Sequence, residues 1–204
     1  MTFFEPLPPA PDPTEPQPTG WVPPLWDRPS EALLGVLLPM STLLAKTDDI
    51  AVALGDVTAY PNGFTFNVEI LGNPMAPRPS HQHGMFHYPG LRERGPRIGF
   101  AFADGSRASD HAPRPSGGQM MVMIGKDDEG VPTTPVLVPR GGGGGGHHYS
   151  MRYWCFPLPP PGTMDLYLEW ADVGIHETKV TLDADAVREA ATRVVTLWEY
   201  EPGS

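Results

Sequence analysis

Three histidines within seven residues, His81, His83 and His87 of HQHGMFH, come nearest in type and spacing to a reactive site. Neutral imidazoles ligate zinc, nickel or iron, and an H-x-H pair on a strand places both rings on one face. Asp110 and His111 are further candidates for the same ligand set. The stretch from residue 73 to 95 has no hydrophobic periodicity, however, and a loop guarantees no ligand geometry. Surface histidines in a long loop are the plainer reading.

Residues 141–146 are six consecutive glycines, followed by His147 and His148. Glycine-rich loops cradle phosphates when a helix follows and a Lys-Ser/Thr pair serves the phosphate and its metal. Here the strand-like HYSMRYWCF follows instead, so a flexible hairpin tip is expected. Cys155, the only cysteine, stands between Trp154 and Phe156. Those neighbours imply a buried thiol of raised pKa and low reactivity. A Cys-His pair with His147 or His148 would need exposure and an orienting third group. No G-x-S-x-G elbow supplies a serine nucleophile. Asp48-Asp49 and Asp127-Asp128-Glu129 fall at predicted turns, where solvated loop charge accounts for them.

Binding chemistry is better supplied. Arg78, Arg92, Arg94, Arg97, Arg107 and Arg114 fall in one stretch of a chain whose net charge is −10. Arginine and aromatic residues are enriched where proteins meet, because both combine large contact area with directional polar contacts. Phe86, Tyr88, Arg92 and Arg94 are therefore the expected contact surface, for an acidic protein or a small anionic ligand. The competing expectation is that the arginines pair internally with the acidic C-terminal part, which runs from Asp165 to Glu201.

The elements that must position these residues are strands. Residues 63–71 (GFTFNVEIL) alternate strictly, as do residues 97–103 (RIGFAFA), 164–170 (MDLYLEW) and 176–182 (HETKVTL). A period of two gives each strand one buried and one wet face, which is the antiparallel habit. Weaker strands are expected at residues 35–44, 50–60, 119–124, 135–138 and 148–156. Within 50–60 the apolar parity switches across Gly55-Asp56, which predicts a β-bulge. Tyr60-Pro61-Asn62-Gly63 reads as a hairpin turn, since Asn and Gly tolerate positive φ and Pro presets the first turn position. Residues 103–106 (ADGS) read as a second. One helix is expected after an N-cap at Asp183 or Asp185, with Val187, Ala190, Ala191, Val194 and Val195 at helical spacing, covering one end or edge of a sheet. This pattern predicts a mainly β, antiparallel β-sandwich, Ig-like or jelly-roll-like, with one short C-terminal helix and a closed barrel as the alternative.

Residues 1–30 hold ten prolines and form a predicted disordered tail, and residues 31–204 the sandwich domain. Within the tail, Trp21 and Trp26 are placed to dock on the domain or a partner. Its P-x-x-P arrangements suit the aromatic grooves of peptide-recognition modules, though a solvated spacer accounts for them as well. The acidic balance argues against nucleic acid as a partner, because phosphate neutralisation needs Lys and Arg in excess. The most apolar stretch, residues 32–45, is fourteen residues long and contains Pro39. A membrane span needs about 20 residues, so no membrane association is expected. The leader lacks the charge and apolar run of a secretion signal, and a single cysteine suits a reducing compartment, so the expected location is the cytoplasm.

At residues 59–64 (AYPNGF), 141–164 (GGGGGGHHYSMRYWCFPLPPPGTM) and 183–198 (DADAVREAATRVVTLW), the chain resembles an uncharacterised family of hypothetical proteins from high-GC Gram-positive (actinobacterial) genomes. The resemblance spans residues 34–198 without the His-rich loop. It implies a bacterial cytosolic protein and transfers no catalytic residue. The expected function is a non-enzymatic binding or structural module, without cofactor, that contacts another protein. The alternative is a metal-binding protein or metal-dependent enzyme using His81, His83 and His87.

Overall fold

The computed structural model describes residue 24 and residues 26–75, 95–110, 126–127 and 130–198. The chain enters through two short strands, β1 (Leu33–Leu34) and β2 (Val36–Leu38). Next come β3 (Thr42–Lys46), β4 (Ile50–Tyr60), β5 (Gly63–Gly72), β6 (Arg97–Phe102) and β7 (Arg107–Ser109). The second half holds β8 (Val136–Gly145), β9 (His148–Phe156), β10 (Thr163–Trp170) and β11 (Ile175–Asp183). The helix α1 (Ala184–Ala191) and the short β12 (Val195–Thr196) follow.

The strands form two main antiparallel sheets and a small ribbon. The larger sheet runs β2-β4-β5-β9-β8, and β3 shares the flank of β4 with β2. The smaller sheet runs β11-β10-β6-β7, and β1 pairs only with β12. This is the mainly β, antiparallel sandwich class that the alternation predicts, not a closed barrel.

Local chemistry explains the register. In β5, Phe64, Phe66, Val68 and Ile70 are buried; in β10, Met164, Leu166, Leu168 and Trp170 are. The parity switch in β4 is a bulge, since the register with β5 shifts between Leu54 and Val57. Both flanks therefore send Val52, Leu54, Val57 and Ala59 inward. Tyr60 pairs with Gly63 across a two-residue turn. A side chain at Gly63 would run into the Cys155 carbonyl oxygen and the Trp154 ring, so glycine is required there. The helix starts at Asp183, whose side chain accepts a hydrogen bond from the Ala186 amide (3.0 Å). It buries Ala184, Val187, Ala190 and Ala191 and lies against β2 and β4 of one sheet and β10 of the other.

Three expectations are corrected. The helix ends at Ala191, so Val194 lies beyond it and Val195 pairs with Leu34 in β12 instead of continuing the helical spacing. Residues 35–44 are not one strand, because the chain breaks between Leu38 and Thr42, around Pro39. Five of the six glycines form no loop: residues 141–145 continue β8 as a strand paired to β9. The expected strand at 119–124 lies outside the described residues.

No polar or charged side chain is buried among the described residues, so inter-sheet cohesion is apolar. Its centre is aromatic. Phe100 of the smaller sheet meets Phe64 (5.4 Å) and Phe66 (5.2 Å) of the larger, edge to face in both cases. Phe66 in turn stacks on Tyr153 at 5.2 Å. Phe100→Ala removes the shared ring and should lower stability by about 3–5 kcal/mol, read as a reduced urea midpoint.

Candidate functional site

Every residue of the expected contact surface and metal loop (His81, His83, Phe86, His87, Tyr88, Arg92 and Arg94) lies outside the described residues. The structure describes what flanks them. At the exit of β5, Asn73 ties the chain down: its side-chain amide donates to Asp48 O (2.8 Å) and its amide to Asp49 O (2.7 Å). Its Oδ1 accepts from the Met75 amide at 2.9 Å, and Met75 itself is 87% exposed. The chain resumes at Gly95 and enters β6, so the intervening segment joins the larger sheet to the smaller one.

Of the arginines in that stretch, Arg97 pairs internally, its Nη1 2.6 Å from Glu169 Oε2 on the neighbouring β10. Asp110, a candidate late ligand, accepts from the Ile98 amide (3.0 Å) and the Tyr153 hydroxyl (3.2 Å). Among the described residues, no three His, Cys, Asp or Glu side chains gather at metal-binding reach.

The outer face of the larger sheet carries a row of cross-strand polar contacts. Glu69 on β5 lies between two residues of β9: His148 Nε2 is 2.6 Å from Oε2, and Ser150 Oγ donates to Oε1 at 2.9 Å. Asn67 Oδ1 accepts from Arg152 Nε one step along the same pair of strands (3.3 Å). Serine, histidine and carboxylate are thus adjacent, but the serine donates to the carboxylate and not to the imidazole. A Ser-His relay requires the hydroxyl on the base, so the arrangement is a cross-strand polar ladder.

Beside this ladder, Leu43 (57% exposed) and Leu71 (42%) flank the outward Ala53 and Ala51 of β4. A surface depression of about 580 Å³, lined by Lys46, Ala51, Leu71, Asn73 and Pro74, adjoins them. The band therefore ends where the chain leaves for residues 76–94. The sequence signal for it is the adjacent apolar pairs Leu43-Leu44 and Ile70-Leu71, since one member of each pair in a strand must face outward.

On the opposite flank, the end of the proline-rich segment is anchored. The Trp154 indole donates to Trp26 O (2.9 Å), Lys126 Nζ sits 4.5 Å from the Trp26 ring centroid, and Asp27 pairs with Arg140 (2.7 Å). Trp26 thus docks on the domain; Trp21 lies outside the described residues.

Cys155 is fully buried on the inner face of β9, and burial pushes its thiol pKa far up. This agrees with the reading from its aromatic neighbours and removes a Cys-His nucleophile, since the thiolate is the reactive form. Comparison with family models, curated proteins and solved structures finds no match. No residue role is therefore transferred from another protein. No described helix is long and apolar enough to cross a membrane. Cys155 should remain unmodified by a thiol reagent such as dithionitrobenzoate in native protein and react fully in denaturant. Fast stoichiometric labelling of folded protein would show that the thiol is accessible.

Proposed function

We propose that the chain is a non-enzymatic binding module that contacts another protein through the outer face of its larger sheet and the adjoining segment at residues 76–94. The observation that carries this reading is the apolar band Leu43–Ala53–Ala51–Leu71, laid across β4 and β5, which are paired on both sides. Scattered exposed leucines are ordinary, but a contiguous band beside polar groups is the usual composition of an interface. The band ends at Leu71 near the exit of β5, and Phe86, Tyr88, Arg92 and Arg94 belong to the segment that leaves from there. Together they would supply an apolar centre and a basic, aromatic margin suited to an acidic protein surface. A rigid scaffold carrying long loops is where binding residues usually sit.

Two double variants test this. Leu43→Ser with Leu71→Ser, and Arg92→Glu with Arg94→Glu, should each leave stability within about 0.5 kcal/mol. Each should reduce recovery of a partner co-purifying from the native cell at least several-fold. Lost stability with an intact complex would show that these residues serve the fold, and the reading would be dropped. Ala replacement of His81, His83 and His87 together should leave metal content, measured on untagged protein, unchanged. Stoichiometric zinc, nickel or iron lost in that variant would move the function to the metal alternative.

A further inference from the structure

Strand β8 is the outermost strand of the larger sheet: β9 pairs with one side, and no described strand pairs with the other. In an antiparallel ladder, alternate residues turn their N–H and C=O groups away from the partner strand. Along residues 142–145 those groups face outward from a backbone that carries no side chain. Natural edges are blunted by charge, proline or a bulge, because a bare edge templates another strand. On β8 such devices stop early, at Pro139, Arg140 and the register shift between Pro139 and Gly142.

The fold accounts for four of the six glycines. Gly141 and Gly146 have φ of 101° and 61°, and a side chain at Gly142 or Gly144 would run into the carbonyl oxygen of Ser150 or His148. Gly143 and Gly145 are different. An added Cβ at either meets nothing within 4 Å, and neither has positive φ. A strand glycine without packing reason weakens the strand and often marks the close approach of another backbone. Both belong to the outer face, opposite Ser150 and His148.

We propose that the free edge of β8 at residues 142–145 receives an extended, basic segment of another protein as an added strand. The register supplies the specificity. Gly143, Ser150 and Glu69 lie in one row across β8, β9 and β5. With strands about 4.8 Å apart, the added strand lies about 14 Å from β5, so a long side chain laid across bare Gly143 points along the row to Ser150 and lies within the field of the Glu69 carboxylate. A Lys or Arg there is charge-complementary, and the net charge of −10 steers basic segments inward while opposing a second copy of this chain. The chain's own first thirty residues are poor strand material, since their ten prolines lack the donors a ladder needs. This edge is separate from the Leu43–Leu71 band, so either surface can fail without the other.

The test uses the full chain and a fluorescein-labelled peptide of alternating Lys and Val, KVKVKVK, followed by anisotropy. Three controls are EVEVEVE, a KVKVKVK N-methylated at alternate amides, and Gly143→Lys protein, whose new side chain has room. Binding by KVKVKVK alone, weakened at least tenfold by Gly143→Lys and several-fold by Glu69→Gln, is the expected result. If Gly143→Lys does not fold, the N-methylated peptide carries the same distinction. Equal binding of N-methylated and parent peptides, or of Gly143→Lys and wild type with unchanged melting, would overturn the proposal as non-specific charge attraction. Concentration-dependent dimers abolished by Gly143→Lys would overturn it in favour of a second copy. Peptide binding that appears only when residues 116–125 are replaced by a Ser-Gly linker would overturn it in favour of the chain's own segment. No binding in any of these proteins would also overturn it.

Discussion

Everything in this protein rests on an interlocked aromatic layer between two sheets that share no ladder of backbone hydrogen bonds. Within each sheet the backbone supplies cohesion, but between sheets only side chains do. Phe100 stands at that junction, edge-on to both Phe64 and Phe66, and Phe66 extends the contact to Tyr153. Edge-to-face geometry suits the ring quadrupoles and adds to the gain from burying the rings. The layer works because β5, β6 and β10 deliver their alternating apolar rows to one face, and the bulge in β4 preserves that delivery where the parity would otherwise fail. Helix α1 then touches both sheets at once, using alanines where little space remains.

Because the inner faces are wholly committed to packing, recognition chemistry is confined to outer faces and edges. The larger sheet is unevenly equipped there. Its β3-β4-β5 side is apolar around Leu43 and Leu71, its β5-β9 seam is polar around Glu69, and its β8 margin is bare backbone. The smaller sheet likewise pairs charges across strands: Arg97 with Glu169, and Lys179 with Asp165 at 3.0 Å. Thr181 and Lys179 together hold the Asp165 carboxyl below its ordinary pKa range. That group's contribution is thus present above its unfolded pKa and lost as pH falls through the lower folded value. As Asp165 is solvent-exposed, the effect on stability is small.

The strand cores were legible in the sequence because a half-buried strand writes its burial as a period of two. In GFTFNVEIL, RIGFAFA and MDLYLEW the apolar row of the alternation is the buried row, and the bulge at Gly55-Asp56 and the position of the turn at Pro61-Asn62 follow from local rules. The helix cap at Asp183 was equally local. The glycine strand was not legible, since glycine has no side chain to show periodicity and its intrinsic preference is against strand. Pairing with HYSMRYWCF overrides that preference, and this is a property of the neighbouring strand. The expected contact and metal residues fall in a stretch without periodicity, so their grouping rested on composition and no geometry stands behind it.

The sequence by itself thus determined the fold class, the inward residues of β5, β6 and β10, the bulge, the positions of the turns and the burial of Cys155. These follow from alternation, chirality and turn chemistry, which act over a few residues. In β11 the row that includes His176 is not the buried one at its start, where His176 is exposed and Ile175 is buried. Tertiary structure alone decided which sheet each strand joined, that Phe100 became the shared ring, that Glu69 met both His148 and Ser150, and that five of the six glycines became the end of an edge strand. Each of these depends on contacts between residues tens of positions apart, whose register no local pattern encodes.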